Sequence, residues 1–87
     1  MSGDFDVCVR LRGGIPDFAK TVGVLALMDL TPRTLICEQK DDGLEVQMRL
    51  SAPANLVDLL AARLGNFIQI TAVTVAEVDP SSSGTSA

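Results

Sequence analysis

Arg12-Gly13-Gly14-Ile15-Pro16 is the segment of this chain whose residue types come closest to binding chemistry. Two glycines leave their backbone N–H groups open to approach, and a following helix adds a positive end that attracts anions. Arg12 would add a charge-assisted hydrogen bond. Arg12, Gly13, Gly14 and Ile15 are therefore the candidate contacts for a carboxylate or phosphate. Asp17 speaks against this reading, because its charge answers the helix dipole and repels an anion. A lone Gly-Gly is also the ordinary way to make a tight turn. Catalytic chemistry finds less support. The chain has no histidine, the side chain best suited to proton transfer near neutral pH and the commonest metal ligand. No nucleophile motif or carboxylate cluster stands in for it. The expectation is a protein that is not an enzyme and carries no metal or cofactor.

Composition narrows the partners. Eighty-seven residues make one domain, and 47% of them are hydrophobic. A domain of this size buries only about 60% of the surface its unfolded chain exposes. The apolar surplus points to a second burial surface, in a homodimer or against another protein. A net charge of −4, with no Trp, no Tyr and three Phe, disfavours nucleic acid and anionic membranes as partners. The first residues, Met1-Ser2-Gly3-Asp4, do not read as a signal peptide, and no apolar run reaches the ~20 residues that span a bilayer. A cytoplasmic protein is expected. Residues 1–78 form the expected domain, and residues 79–87, rich in Ser and lacking a large apolar side chain, read as a disordered tail.

The elements that must position the loop follow from periodicity. Phe5, Val7, Val9 and Leu11 alternate with polar residues and predict a strand, β1, over 5–12. Pro16 and Asp17 suit the first turn of a helix, α1, over 16–30. Thr31-Pro32 ends it, and β2 follows over 34–39. Lys40-Asp41-Asp42-Gly43 reads as a hairpin turn into β3, 44–50, where Leu44, Val46, Met48 and Leu50 alternate. Ser51 and Pro53 open α2, 53–64, with Leu56, Leu59, Leu60 and Leu64 as its apolar stripe. Gly65-Asn66 closes it, and β4 runs over 70–78. The order βαββαβ predicts an α+β ferredoxin-like sandwich: a four-stranded antiparallel sheet with two helices on one face. In that topology β3 separates Cys8 on β1 from Cys37 on β2 by about 9.5 Å. Thiols whose Cα atoms lie more than ~7 Å apart do not form a disulfide. Both cysteines are expected reduced and buried or half-buried.

Surfaces are readable too. Phe18, Val22, Leu25 and Asp29 lie on one stripe of α1, leaving Val24, Leu27 and Met28 as apolar excess outside it. On the sheet, Asp6 and Arg10 of β1 and Glu45 and Arg49 of β3 are placed to pair across strands. An unprotected β2 edge around Leu35 and Ile36 invites another subunit. Val24, Leu27, Met28, Leu35 and Ile36 are the candidate partner or dimer interface.

The second half carries a family resemblance. The run Leu44 to Leu60, followed by Arg63-Leu64-Gly65-Asn66-Phe67 and Ile70 to Val75, resembles an ACT domain. Within it, Ser51 to Leu60 has the pattern Ser-x-Pro-x-x-x-Val-Asp-Leu-Leu, and is similar to the short small subunits of acetolactate (acetohydroxyacid) synthase. The resemblance implies a non-catalytic regulatory subunit. Such a subunit pairs as a homodimer and activates a large catalytic subunit that holds thiamine diphosphate and works in branched-chain amino-acid biosynthesis. It also implies, in some members, a branched-chain amino acid held near the β1–α1 loop by an asparagine and a glycine. Here Gly13 and Gly14 are present and no asparagine is, so an activator insensitive to feedback is a fitting expectation. The alternative is a free-standing ACT homodimer that senses an amino acid for another enzyme. An acylphosphatase-like enzyme, which shares the fold, fits poorly: Arg12 is the loop's only basic residue, and Asn55 and Asn66 bracket α2.

Overall fold

The computed structural model describes residues 2–78 and places the elements in the expected order: β1 (Ser2–Leu11), α1 (Ile15–Leu27), β2 (Thr34–Lys40), β3 (Gly43–Pro53), α2 (Ala54–Gly65) and β4 (Ile70–Glu77). The tail expected at 79–87 lies outside the described residues. The sheet order is β2-β3-β1-β4, with every neighbouring pair antiparallel. Alternation then sorts the side chains. Phe5, Val7, Val9 and Leu11 of β1 meet Val46, Met48, Leu50 and Ala52 of β3 in one core with Val24 and Leu25 of α1 and Val57, Leu60 and Leu64 of α2. Burial of this kind stabilises by roughly 25 cal/mol per Å² of apolar surface removed from water.

The central strands are longer than periodicity predicts. Ser2, Gly3 and Asp4 pair with Pro53, Ala52 and Ser51. None of those three is a strong strand former. Their place is set by hydrogen bonding to β3, which local sequence does not reveal. Ser51 accordingly belongs to the sheet rather than to the helix start. Pro53 holds the cap position of α2, and no side chain caps the helix.

Both helices are rotated slightly from the expected phase. On α1 the buried residues are Thr21, Val24 and Leu25, with Phe18 and Met28 packed partly against the core, while Val22 is 39% exposed. Val24 is therefore part of the interior, not apolar excess, and Met28 is half-buried. Thr21 can replace Val22 on the inner face because its hydroxyl donates to the Asp17 carbonyl oxygen at 3.2 Å. A buried hydroxyl with a partner avoids the cost of an unsatisfied one. On α2, Val57 is fully buried where the expected Leu59 is 43% exposed.

Helix α1 also stops at Leu27, three residues earlier than predicted. Asp29 takes a left-handed φ of 55°. The Leu30 N–H donates to the Leu25 carbonyl at 2.9 Å and the Asp29 N–H to that of Ala26 at 3.1 Å. This pair of bonds is the Schellman closure, which satisfies the last carbonyls of a helix. The β2–β3 hairpin closes as expected, with Lys40 opposite Gly43 across Asp41-Asp42. Gly43 has φ 143°, and a Cβ there would run into the Leu11 carbonyl. Only glycine combines that dihedral with so close an approach.

Candidate functional site

The β1–α1 loop is tied down at its start, where the Arg12 N–H donates to the Gln69 carbonyl at 2.7 Å. This bond joins it to the α2–β4 loop. Gly14 occupies the cap position of α1, and its carbonyl accepts from the N–H groups of Asp17 and Phe18 at 3.0 and 3.2 Å. Arg12, Gly14 and Ile15 are exposed and Gly13 half-buried. A side chain at Gly13 would collide with the carboxylate of Asp17, so Asp17 turns back over that glycine. An anion placed on the Gly13 amide would meet this carboxylate.

Beside this loop is a cleft of about 320 Å³ that the sequence reading missed. Asp17 and Lys20 of α1 form one wall, and Asn66, Phe67, Ile68 and Ile70 form the other. Its walls come from segments nearly fifty positions apart, so no local pattern reveals it. The one available signal was Phe67-Ile68, two large apolar residues in a turn where polar ones are usual.

The candidate interface residues divide into distinct groups. Leu27 is 81% exposed on the last turn of α1. On β2 all seven residues are exposed. Leu35 pairs with the buried Met48 and so faces the helical side, whereas Ile36 pairs with the exposed Gln47 and faces the open side. The two therefore flank one edge from opposite faces. Val24 lies in the core and Met28 at its rim.

The open face of the sheet carries the expected charge pairs. Arg49 donates through Nε and Nη2 to the two oxygens of Asp6 at 2.9 and 3.2 Å. Arg10 donates to Glu45 Oε2 at 3.3 and 3.2 Å, and Gln47 donates to Glu45 Oε1 at 3.0 Å. The hydrogen bonds from Arg49 hold the Asp6 carboxyl below its ordinary pKa. Glu45 is lowered first by the Gln47 amide and then by Arg10. Cys8 stands opposite Gln47, between the two pairs. Burial, and then the charge of Glu45, push its thiol pKa up. A raised thiol is a poor nucleophile. Both cysteines are free; Cys8 is half-buried as expected, and Cys37 is exposed because β2 is an uncovered edge. Among the described residues no three His, Cys, Asp or Glu side chains gather to hold a metal ion, and no helix is long and apolar enough to cross a membrane.

This geometry defines a class: a ferredoxin-like sandwich whose sheet ends in the edge strands β2 and β4, with β2 exposed at every position and a small cleft at the loop end. No family model matches the chain, and no curated protein matches it. Solved structures do share the fold. The ACT domain from GTP pyrophosphokinase of Chlorobium tepidum superposes with a TM-score of 0.77 at 13% identity, covering 87% of this chain and 100% of that one. An uncharacterized protein from Thermotoga maritima gives 0.75 at 7% identity, over 91% of this chain and 100% of its own. Acylphosphatase from Bacillus subtilis gives 0.62 at 20% identity, over 90% and 86%. The fold is thus the ferredoxin-like βαββαβ arrangement of ACT domains. At such identities the likeness concerns architecture alone, and function has to come from the sites.

Proposed function

We propose that the chain is a non-catalytic regulatory module that works by lending its β2 edge to another subunit. The observation that carries this reading is β2 itself, exposed at every position on a free edge that ends the sheet. Unpaired N–H and C=O groups along such an edge are a template for another strand. Leu35 and Ile36 supply exposed apolar area on it. A second copy would extend the sheet, and the surplus of apolar residues would be covered in the same step. In its specific form, the module is the small subunit of acetolactate synthase. As a cytoplasmic homodimer it activates a thiamine-diphosphate-dependent large subunit, and the resemblance of Ser51 to Leu60 supports that assignment. A free-standing ACT homodimer that binds an amino acid is the second reading. The cleft beside Asp17 favours it, because a ligand could be held there without a catalytic partner.

Sedimentation of the purified chain tests the pairing, and Leu35→Lys tests the surface. The wild type is expected to dimerise, and the variant to keep its circular dichroism while its dimer dissociation constant rises at least tenfold. A wild-type chain that stays monomeric at high concentration rejects the reading. The acetolactate synthase form requires that adding the chain raise the turnover of a large subunit from the same cell. No change at saturating chain leaves the free-standing module as the function.

A further inference from the structure

The outer face of α1 is apolar without serving the core. Every exposed residue of this helix except Lys20 is nonpolar, and Lys20 lines the cleft with Asp17. The exposed positions of α2 are ordinary by comparison, with Asn55, Asp58 and Arg63 among them. On α1, Ile15, Ala19, Gly23 and Leu27 are spaced four apart and form one ridge, directed away from the buried Thr21, Val24 and Leu25. The ends of this ridge are large and uncovered, Ile15 at 67% and Leu27 at 81% exposed, and its middle is small. Gly23 is the informative member. A glycine inside a helix costs stability that an alanine would not. A Cβ at Gly23 would meet nothing within 4 Å, so no close approach within the chain requires a glycine there. The space it leaves suits a neighbour from outside the chain.

We infer that this ridge seats the same ridge of a second copy, helix across helix, with the two sheets on the outside of the stack. Packing such ridges into each other's grooves crosses two helices at about −50°. Small residues at the centre let the backbones approach, and large ones at the ends fill the space where the helices diverge. The order of sizes is symmetric about position 21. A two-fold rotation through that point sets Ala19 against Gly23 of the second copy and Ile15 toward its Leu27. The ridge carries no charged side chain, so the contact buries no unpaired charge. Covering Ile15 and Leu27 removes apolar surface from water. Pairing along β2 sets copies side by side instead, so the two contacts use different surfaces and neither needs the other. Two helices of 13 residues cover less than a standard interface of roughly 800 Å² per partner. The stack therefore forms at higher concentration than the edge pair.

Sedimentation of four full-length chains tests the contact: wild type, Leu35→Lys, Gly23→Leu and the double variant. Leu35→Lys leaves only the helix contact and is expected to pair at millimolar concentration. Gly23→Leu has open space around the new side chain within its own chain. It is expected to keep the wild-type circular dichroism and the edge pairing. In the double variant the dissociation constant of the remaining pair is expected to rise by about tenfold or more, the scale of blocking one close apolar contact. A Leu35→Lys chain that stays monomeric at millimolar concentration overturns the inference, as does a helix contact that survives Gly23→Leu. Loss of circular dichroism in Gly23→Leu would give the glycine a role inside the chain and overturn it as well. The same samples keep the two contacts apart. Association sensitive to Leu35→Lys alone keeps the edge and rejects the stack, and association sensitive to Gly23→Leu alone does the reverse.

Discussion

Helices α1 and α2 build the same core against the same sheet and answer to different demands. Helix α2 sends Val57, Leu60 and Leu64 into the interior, each with no exposure. Helix α1 sends in Thr21 with Val24 and Leu25 and leaves Leu27 in solvent. It also contributes Asp17 and Lys20 to the cleft. The contrast teaches that burial is assigned by where a helix rests on the sheet, not by which residue is most apolar. A threonine with a satisfied hydroxyl can take an inside position while a leucine stays outside. One helix anchors the fold, and the other presents chemistry.

The same substitution made on both helices would break this contrast most directly. Leu60→Ala is expected to cost about 3 kcal/mol of unfolding free energy, the usual scale for a fully buried leucine. Leu27→Ala should cost less than about 0.5 kcal/mol in the monomer. Urea titrations under dilute conditions measure both, and equal losses would erase the distinction. A smaller change sharpens it at the end of α1. Asp29→Gly removes the Cβ from a left-handed position and should stabilise by about 1 kcal/mol. A drop in the denaturation midpoint instead would mean that the Asp29 side chain supports the turn.

The smallest effect belongs to the face that neither helix covers. Hydrogen bonds from Arg49 hold the folded Asp6 pKa below its ordinary value of 3.8. Its contribution is therefore fully present above that value and is lost as pH falls through it and then through the lowered folded pKa. Asp6 is half-exposed, so solvent screening keeps this contribution small. Asp6→Asn should flatten the acid limb of the stability–pH curve slightly while leaving its shape near neutrality unchanged. A midpoint shift at neutral pH as large as that of Leu60→Ala would show that the outer face bears on the core.

Much of this architecture was legible because local and global signals agree. Period-two alternation in β1 and β3 gives the right faces, and Asp42-Gly43 gives the hairpin. What escaped was set by distant partners. The first residues of β1 owe their strand to the end of β3. The helical phase of α1 turned on a hydrogen bond within the helix that lets Thr21 go inside. The turn at Arg12 to Ile15 was legible as the link between β1 and α1, but the cleft beside it joins two stretches that no single window contains.

The uncovered strand has an arithmetic of its own. A twin laid antiparallel along Thr34–Lys40, with both sets of helices on one side, must bring some residue face to face with its own image. Slippage can move only which residue that is: Leu35, Ile36, Cys37, Glu38 or Gln39. Glu38 would set like charges against each other, whereas Cys37 would bring two thiols within the span of a covalent bridge. A mild oxidant would thus report the alignment, locking the molecule into a linked double only when the centre of symmetry falls on sulfur.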